Sequence, residues 1–312
     1  MKRCLVTGGA GFIGSNLCRR LVKDGCVVRV LDNFLTGKRS NLSDLAGKIE
    51  LIEADMGNPK VAGAAMDGIE VVFHLGALSS VPRSVADPLC SHVNCADATF
   101  TLLLAARDAG IRRFVYAASS SAYGDSPTLP KVETQPVNPM SPYAVSKLVG
   151  EYYAKVFFEV YGLQTISLRY FNVFGPYQDP ASQYAAAIPA FVTSILRDQS
   201  PVVYGDGEQS RDFTYIDNVI EANLCAARAA QTAGQTMNIA CGERITVNEI
   251  IRLINQLVGK SIAPRYVPSR AGDVKHSLAD IQLAGKLIGF RPVVDFRKGL
   301  EIAIDWYKEN LM

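Results

Sequence analysis

Tyr143 and Lys147 stand four residues apart, a spacing that brings both side chains to one face of a helix. Together they can do acid–base work. A free tyrosine keeps its proton up to a pKa of about 10, too high for a base at neutral pH. A neighbouring ammonium favours the phenolate and would bring Tyr143 into range. Upstream, Ser119-Ser120-Ser121 closes an apolar run. A hydroxyl at such a strand end, where open α/β sheets place their ligands, can share a hydrogen bond with a substrate alcohol.

The acid–base pair needs something to act with, and the N-terminus supplies it. Thr7-Gly8-Gly9-Ala10-Gly11-Phe12-Ile13-Gly14 follows a short apolar run and opens a helix-like one. Gly8, Gly11 and Gly14 are three residues apart. The first permits the tight turn, the second lets a pyrophosphate approach the backbone, and the third lets helix and strand pack closely. The helix N-terminus then offers amide donors to phosphate. Asp32 follows Gly14 by 18 residues. A carboxylate there binds the adenosine ribose hydroxyls and repels a 2′-phosphate, which favours NAD over NADP. Lys38 and Arg39, a few residues further on, work against that discrimination. With NAD in place, the positive nicotinamide ring joins Lys147 in favouring the phenolate.

These groups have to be held by a sheet. Residues 3–7, 26–31, 49–54, 71–75, 114–118 and 164–170 read as strands, apolar without alternation, hence buried on both faces and parallel. Helices fall between them. One carries Ile13, Leu17 and Leu21 on a single face, and another covers 93–107. A long one covers 141–161, with Ser141 as its cap, Pro142 at its first position and Gly162 after its end. The order predicts a Rossmann-type, doubly wound α/β fold. After Asn172, Gly, Pro and Tyr become frequent and the elements are expected to be shorter, with helices over 278–285 and 296–307. The expected division is a cofactor domain, residues 1–172, and a smaller α/β substrate-binding region, 173–312, partly interleaved with it.

The chain has 312 residues, with 32 Lys+Arg against 30 Asp+Glu, a net charge of +2, and 48% hydrophobic residues. That balance excludes intrinsic disorder and gives no basic stripe for nucleic acid. No apolar run approaches the ~20 residues of a membrane span. The apolar stretch after Met1-Lys2-Arg3 is shorter than a signal-peptide core of roughly 7–15 residues. The seven cysteines are scattered, without a CxxC pair. A cytoplasmic protein with reduced thiols is expected. Cys90, His92 and Cys95 form the one cluster that suggests a metal, but no second cluster completes four ligands, so none is expected.

The motifs Thr7–Gly14, Asp32-Asn33, Ser119-Ser-Ser-Ala-Tyr-Gly124, Tyr143/Lys147 and Arg169-Tyr-Phe-Asn-Val-Phe-Gly-Pro176 resemble those of the extended short-chain dehydrogenase/reductase family. The likeness continues through Tyr204-Gly-Asp-Gly-Glu-Gln-Ser-Arg-Asp-Phe213 and Arg270-Ala-Gly-Asp273. Members act on nucleotide-activated sugars with tightly held NAD. Dehydratases of the family carry an Asp-Glu pair after the catalytic hydroxyl, and decarboxylases a Glu in the same loop. Here Ser120 and Ser121 stand there, and no acid is available to expel a 6-hydroxyl. The subgroup it most resembles is the UDP-N-acetylglucosamine/UDP-glucose 4-epimerases.

The resemblance implies roles by position. Ser119, Tyr143 and Lys147 would be catalytic. NAD would be held by Gly8, Gly11, Phe12, Ile13, Asp32, Asn33, Phe34, Thr36, Gly37, Asp55, Met56, Leu75, Gly76, Ala77 and Asn94, by Tyr143 and Lys147, and by Phe171 and Val173. The UDP-sugar would meet Ser80, Ser119, Ser120, Ser121, Tyr143, Asn172, Ala186, Ala187, Val202, Tyr204, Gln209, Arg211, Arg270, Asp273 and Ser277. Of these, Arg211 and Arg270 would clamp the diphosphate and Asp273 would take ribose hydroxyls. At the position of Ser277, a tyrosine excludes a 2-acetamido group and a small residue admits it, which points to UDP-GlcNAc. Tyr184-Ala-Ala-Ala187 departs from the Asn-Leu often found there. A 4-epimerase of a UDP-uronate is the alternative, with Arg83 or His276 as the donor near C6. The long helix over 141–161 and the one from Val93 carry apolar residues on several faces. In the family such helices join two copies through a four-helix bundle, and a homodimer is expected.

Overall fold

The six apolar runs of the first half pair in parallel. A computed structural model describes residues 1–180, 187–230, 234–269 and 275–311. The strands are β1 (Arg3–Thr7), β2 (Val27–Asp32), β3 (Ile49–Glu53), β4 (Val71–His74), β5 (Arg113–Ser119) and β6 (Thr165–Tyr170), then β7 (Val173–Phe174), β8 (Val202–Tyr204), β9 (Ser210–Arg211), β10 (Thr214–Tyr215), β11 (Thr236–Ile239), β12 (Ile245–Thr246) and β13 (Arg265–Val267). The helices are α1 (Phe12–Lys23), α2 (Pro59–Ala65), α3 (Val81–Ala86), α4 (Pro88–His92), α5 (Ala98–Asp108), α6 (Pro142–Tyr161), α7 (Ala187–Leu196), α8 (Ile216–Arg228), α9 (Val247–Val258), α10 (Gln282–Ile288) and α11 (Phe296–Leu311).

Seven strands form the central sheet in the order β11-β6-β5-β4-β1-β2-β3, every pairing parallel. This is the doubly wound topology. The centre of the sheet is covered on both faces and its strands are largely apolar, but β6 buries Thr165, Ser167 and Arg169, and the edge strand β3, expected to be buried on both faces, has no buried residue. On one face Cys4, Val6, Val30, Phe73 and Val115 pack under α1 and α8; on the other Leu5, Leu31, Val72 and Phe114 pack under α2, α5 and α6. Strand β11 comes from beyond residue 172 and pairs with β6, so the second half of the chain contributes to the first half's sheet.

Helix α6 ends as its sequence dictates. Ser141 Oγ accepts from the Ala144 N–H at 3.1 Å, and Gly162 closes it in the left-handed conformation at φ 72°.

Three expectations need correction. The helix expected over 93–107 begins at Pro88, and residues 93–97 form a π turn between α4 and α5. The stretch Pro88–Asp108 is 21 residues long and, by length and composition alone, apolar enough to cross a membrane. Its Leu102, Leu103 and Ala106 are instead fully buried against Phe114 and α2. The helix expected over 278–285 is displaced to Gln282–Ile288, because Ala279 and Asp280 are drawn out to bridge Lys131. Finally, the later strands are short, at two to four residues, but α8, α9 and α11 run to 13, 12 and 16 residues.

Candidate active site

Backbone approach sets the shape of the first half of the site. Gly8 has φ +68°, and a Cβ there would stand 2.6 Å from the Cα of Gly76 at the end of β4. A Cβ on Gly14 would run into the carbonyl oxygen of Gly8. Only glycine lets α1 start this close to β1 and β4. Asp32, at the end of β2 and 8% exposed, fixes the loop further. Its Oδ2 accepts from the Ala10 N–H at 2.9 Å and its Oδ1 from the Phe34 N–H at 2.8 Å. Each oxygen keeps a lone pair for a ribose hydroxyl. Beneath, the fully buried His74 joins Thr7 Oγ1 at 2.7 Å to Thr99 Oγ1 at 2.8 Å, and Thr7 Oγ1 also accepts from the Gly76 N–H at 3.2 Å. Burial holds the imidazole neutral, well below its ordinary pKa.

The result is a cleft of about 270 Å³. Of the residues expected to hold NAD, Gly8, Gly11, Phe12, Ile13, Asp32, Asn33, Thr36, Gly37, Met56, Leu75, Gly76, Ala77 and Asn94 line it. Phe34 instead lies under the Arg39 guanidinium, 4.2 Å from it, and Asp55 is exposed and turned to the Gly57 N–H at 2.7 Å. Lys38, which the sequence set near the ribose-binding acid, lines it too, and Asn41, Ser79, Tyr177 and Asp179 do so without having been expected. The groove runs past the N-terminus of α1 to the end of β4, with glycine where side chains would block it. These residues fit a dinucleotide.

The acid–base group sits where β5 ends and α6 begins. Ser119 is the last residue of β5, and Ser120–Tyr123 form a 3-10 turn. Ser119 Oγ accepts from both the Ser121 N–H (3.2 Å) and the Ser121 hydroxyl (2.8 Å). Its own proton is therefore available to Tyr143, with which it forms a side-chain hydrogen bond. Ser121 thus positions Ser119. Lys147 is buried one turn along α6; its Nζ donates to Ala117 O at 2.6 Å and lies 4.8 Å from the Tyr116 ring. The phenol differs from expectation: burial pushes Tyr143 up to about 12, and the Ser119 hydrogen bond only partly offsets this. The ammonium is engaged with Ala117, and burial lowers its own pKa too.

One turn further, Glu151 makes a buried bidentate ion pair with Arg169 on β6, the shortest contact 2.7 Å. The Arg169 guanidinium also lies 4.6 Å from the Tyr123 ring. Phe171, fully buried, packs with Tyr123, Ala240 and Ala279, and Val173 opens β7; neither lines the cleft.

A third group gathers from the chain's second half. Asn172 Nδ2 donates to Asp212 O at 2.8 Å and to Ser277 Oγ at 3.2 Å. Arg211 Nη1 donates to Lys275 O at 3.0 Å, and Gln209 Nε2 to Tyr204 O at 2.7 Å. Val202 and Tyr204 bound β8. The organiser is Asp212, a fully buried carboxylate that sequence reasoning missed. It accepts from the Cys241, Gly242 and Ala279 N–H groups at 3.0, 3.1 and 3.2 Å. Even so, burial pushes it up to about 6. Ser80 caps α3 by accepting from the Arg83 N–H at 3.3 Å, and Ala187 starts α7. Ala186, Arg270 and Asp273 lie outside the described residues. His276, one candidate donor for a uronate, has its Nδ1 2.8 Å from Ser210 Oγ.

Known proteins resemble this chain in sequence and fold. The profile of the NAD dependent epimerase/dehydratase family matches residues 4–240. A UDP-glucose 4-epimerase of Mycolicibacterium smegmatis is 36% identical over 312 residues, covering 99% of each chain. The structure of a UDP-N-acetylglucosamine 4-epimerase from Methanobrevibacter ruminantium M1, in complex with UDP-N-acetylmuramic acid, superposes with a TM-score of 0.94 at 40% identity, over 99% of this chain and 98% of that one. That of a UDP-glucuronic acid 4-epimerase from Bacillus cereus, in complex with UDP-glucuronic acid and NAD, gives 0.91 at 32% identity, over 98% and 99%. With the glycine loop, the cleft and the Ser119–Tyr143–Lys147 group in these places, the chain belongs to the NAD dependent epimerase/dehydratase family.

Proposed function

We propose that the protein is a UDP-sugar 4-epimerase that interconverts UDP-GlcNAc and UDP-GalNAc, and UDP-Glc and UDP-Gal as smaller substrates. The observation that carries this reading is the hydrogen bond between Ser277 and Asn172. It holds the small side chain of Ser277 beside Asn172, an expected sugar contact, and this supports room for a 2-acetamido group. Bound NAD supplies a hydride acceptor for C4 and a positive charge that favours the phenolate. Tyr143 takes the proton of the 4-hydroxyl, and Ser119 donates its hydrogen bond to the phenolate as it forms. Lys147, held by Ala117, stands beside them. Arg211, and Arg270 by expectation, anchor the diphosphate while the 4-keto sugar turns over and presents its other face.

Incubation with UDP-GlcNAc, UDP-Glc and their uronates, followed by product identification, tests the reading. C4 interconversion of UDP-GlcNAc is expected; turnover of the uronates alone would replace it with the uronate reading. Tyr143→Phe should lower turnover by about 10³-fold with the fold intact.

Leu89, Val93, Phe100, Tyr152, Val156 and Val160 are exposed on the helical stretch from Pro88 to Asp108 and on α6. We assign this apolar face to a second copy of the chain, forming the four-helix dimer. Sedimentation at micromolar concentration should give twice the monomer mass. Seven free cysteines suit a reducing compartment, the cytoplasm.

A further inference from the structure

Cations that follow the ribose-binding acid of a dinucleotide fold ordinarily accommodate a 2′-phosphate. This chain has two, Lys38 and Arg39. Lys38 belongs to the ribose end of the cleft. Its N–H donates to Ala10 O at 3.0 Å, and its neighbour Gly37 approaches so closely that a Cβ would stand 3.0 Å from Asp32 Oδ1. Its ammonium nevertheless reaches across to Asp179, 2.7 Å away, on the segment after β7. Both residues line the cleft, so the pair spans its two walls. Arg39 is engaged with Glu53 at 2.5 Å, over the Phe34 ring.

The segment that carries Asp179 is fastened by contacts of its own. Asn16 Nδ2 donates to Pro176 O at 3.0 Å, and the Tyr307 hydroxyl donates to Gln178 O at 2.9 Å. Tyr177, in the left-handed conformation at φ 69°, is held between the Arg19 guanidinium at 3.7 Å and the Trp306 ring at 5.1 Å. Asp179 therefore has a fixed place, and Lys38 comes to it.

We propose that Asp179 is a specificity-determining residue for the cofactor, acting through Lys38. It draws the ammonium away from the ribose 2′ position, which leaves Asp32 to exclude a 2′-phosphate. A half-exposed ion pair adds little to stability. Its consequence here is the direction in which a positive charge points.

The test compares wild type, Asp179→Asn, Lys38→Gln and the double variant. Each purified holoenzyme is equilibrated with equal NAD and NADP in excess and freed of unbound nucleotide by gel filtration. It is then denatured, and the released nucleotides are quantified by chromatography. The bound NADP:NAD ratio should rise about tenfold in Asp179→Asn, the scale of one charge-assisted hydrogen bond. It should return to the wild-type value in the double variant, and Lys38→Gln alone should not raise it. An unchanged ratio in Asp179→Asn, or a rise that survives the loss of Lys38, overturns the proposal.

Discussion

The cofactor side of the site is built from backbone at the ends of β1, β2 and β4, whereas the proposed substrate side gathers Asn172, Asp212 and Ser277 across sequence separations of 40 and 105 residues. On the first side, shape comes from missing side chains: Gly8 against Gly76, Gly14 against Gly8. On the second, it comes from a buried carboxylate that ties three segments together by their N–H groups. A cradle of backbone survives most exchanges around it and fails at its glycines. A pocket of tethered loops fails at the tether.

Between the two lies a shared floor, and its loss is the largest expected effect. Glu151→Gln leaves the Arg169 guanidinium buried without its counter-ion, at a cost of about 4 kcal/mol. A fall of that size in the urea unfolding free energy, with both NAD content and sugar turnover reduced, is expected. An unchanged midpoint would mean that α6 is held elsewhere. Gly14→Val should break the cofactor side alone. Steric conflict with Gly8 costs about 3 kcal/mol, and the purified protein should carry little NAD. Retention of NAD at the wild-type level would contradict the role given to the loop.

The substrate side answers to pH. Asp212 lies at about 6 in the fold, against about 3.9 unfolded, so the folded chain binds the extra proton. Its contribution, at most about 3 kcal/mol, is full below pH 3.9 and is lost as the pH rises through 6. Urea unfolding of wild type and Asp212→Asn between pH 4.5 and 7.5 should differ in slope over that window. Parallel curves would mean that Asp212 is ionised throughout. The smallest effect is expected at the pocket wall: Ser277→Tyr should lower kcat/KM for UDP-GlcNAc about tenfold relative to UDP-Glc, and equal losses for both sugars would separate Ser277 from the 2-acetamido group.

The same contrast explains what could be read from sequence. Local rules decide the cofactor side: an apolar run, three glycines at fixed spacing, an acid at the next strand end. Gly8, Gly11, Gly14 and Asp32, read from those rules, line the cleft, and ten further lining residues were implied only by the family resemblance. The capped helix carrying Tyr143 and Lys147 was equally legible, since Ser141, Pro142 and Gly162 act within one turn of its ends. Asp212 was not, because a carboxylate among loop residues shows its burial only once β11 and the segment at Ala279 have closed over it. Nor was Asp179, whose partner is 141 residues away in neither helix nor strand register but across an open cleft, and whose meaning depends on where Lys38 points. The effect of Lys147 on Tyr143 was not legible for a related reason. Spacing shows that a cation is near, but only the fold shows that it is turned to Ala117 and that burial acts on the phenol more strongly.

Trp306 is the sole tryptophan of the chain, and it packs on Tyr177, a residue of the cleft wall. The protein therefore carries a native optical reporter. Its indole emission, excited apart from the thirteen tyrosines, should register whether the cleft is filled or empty without any label being attached.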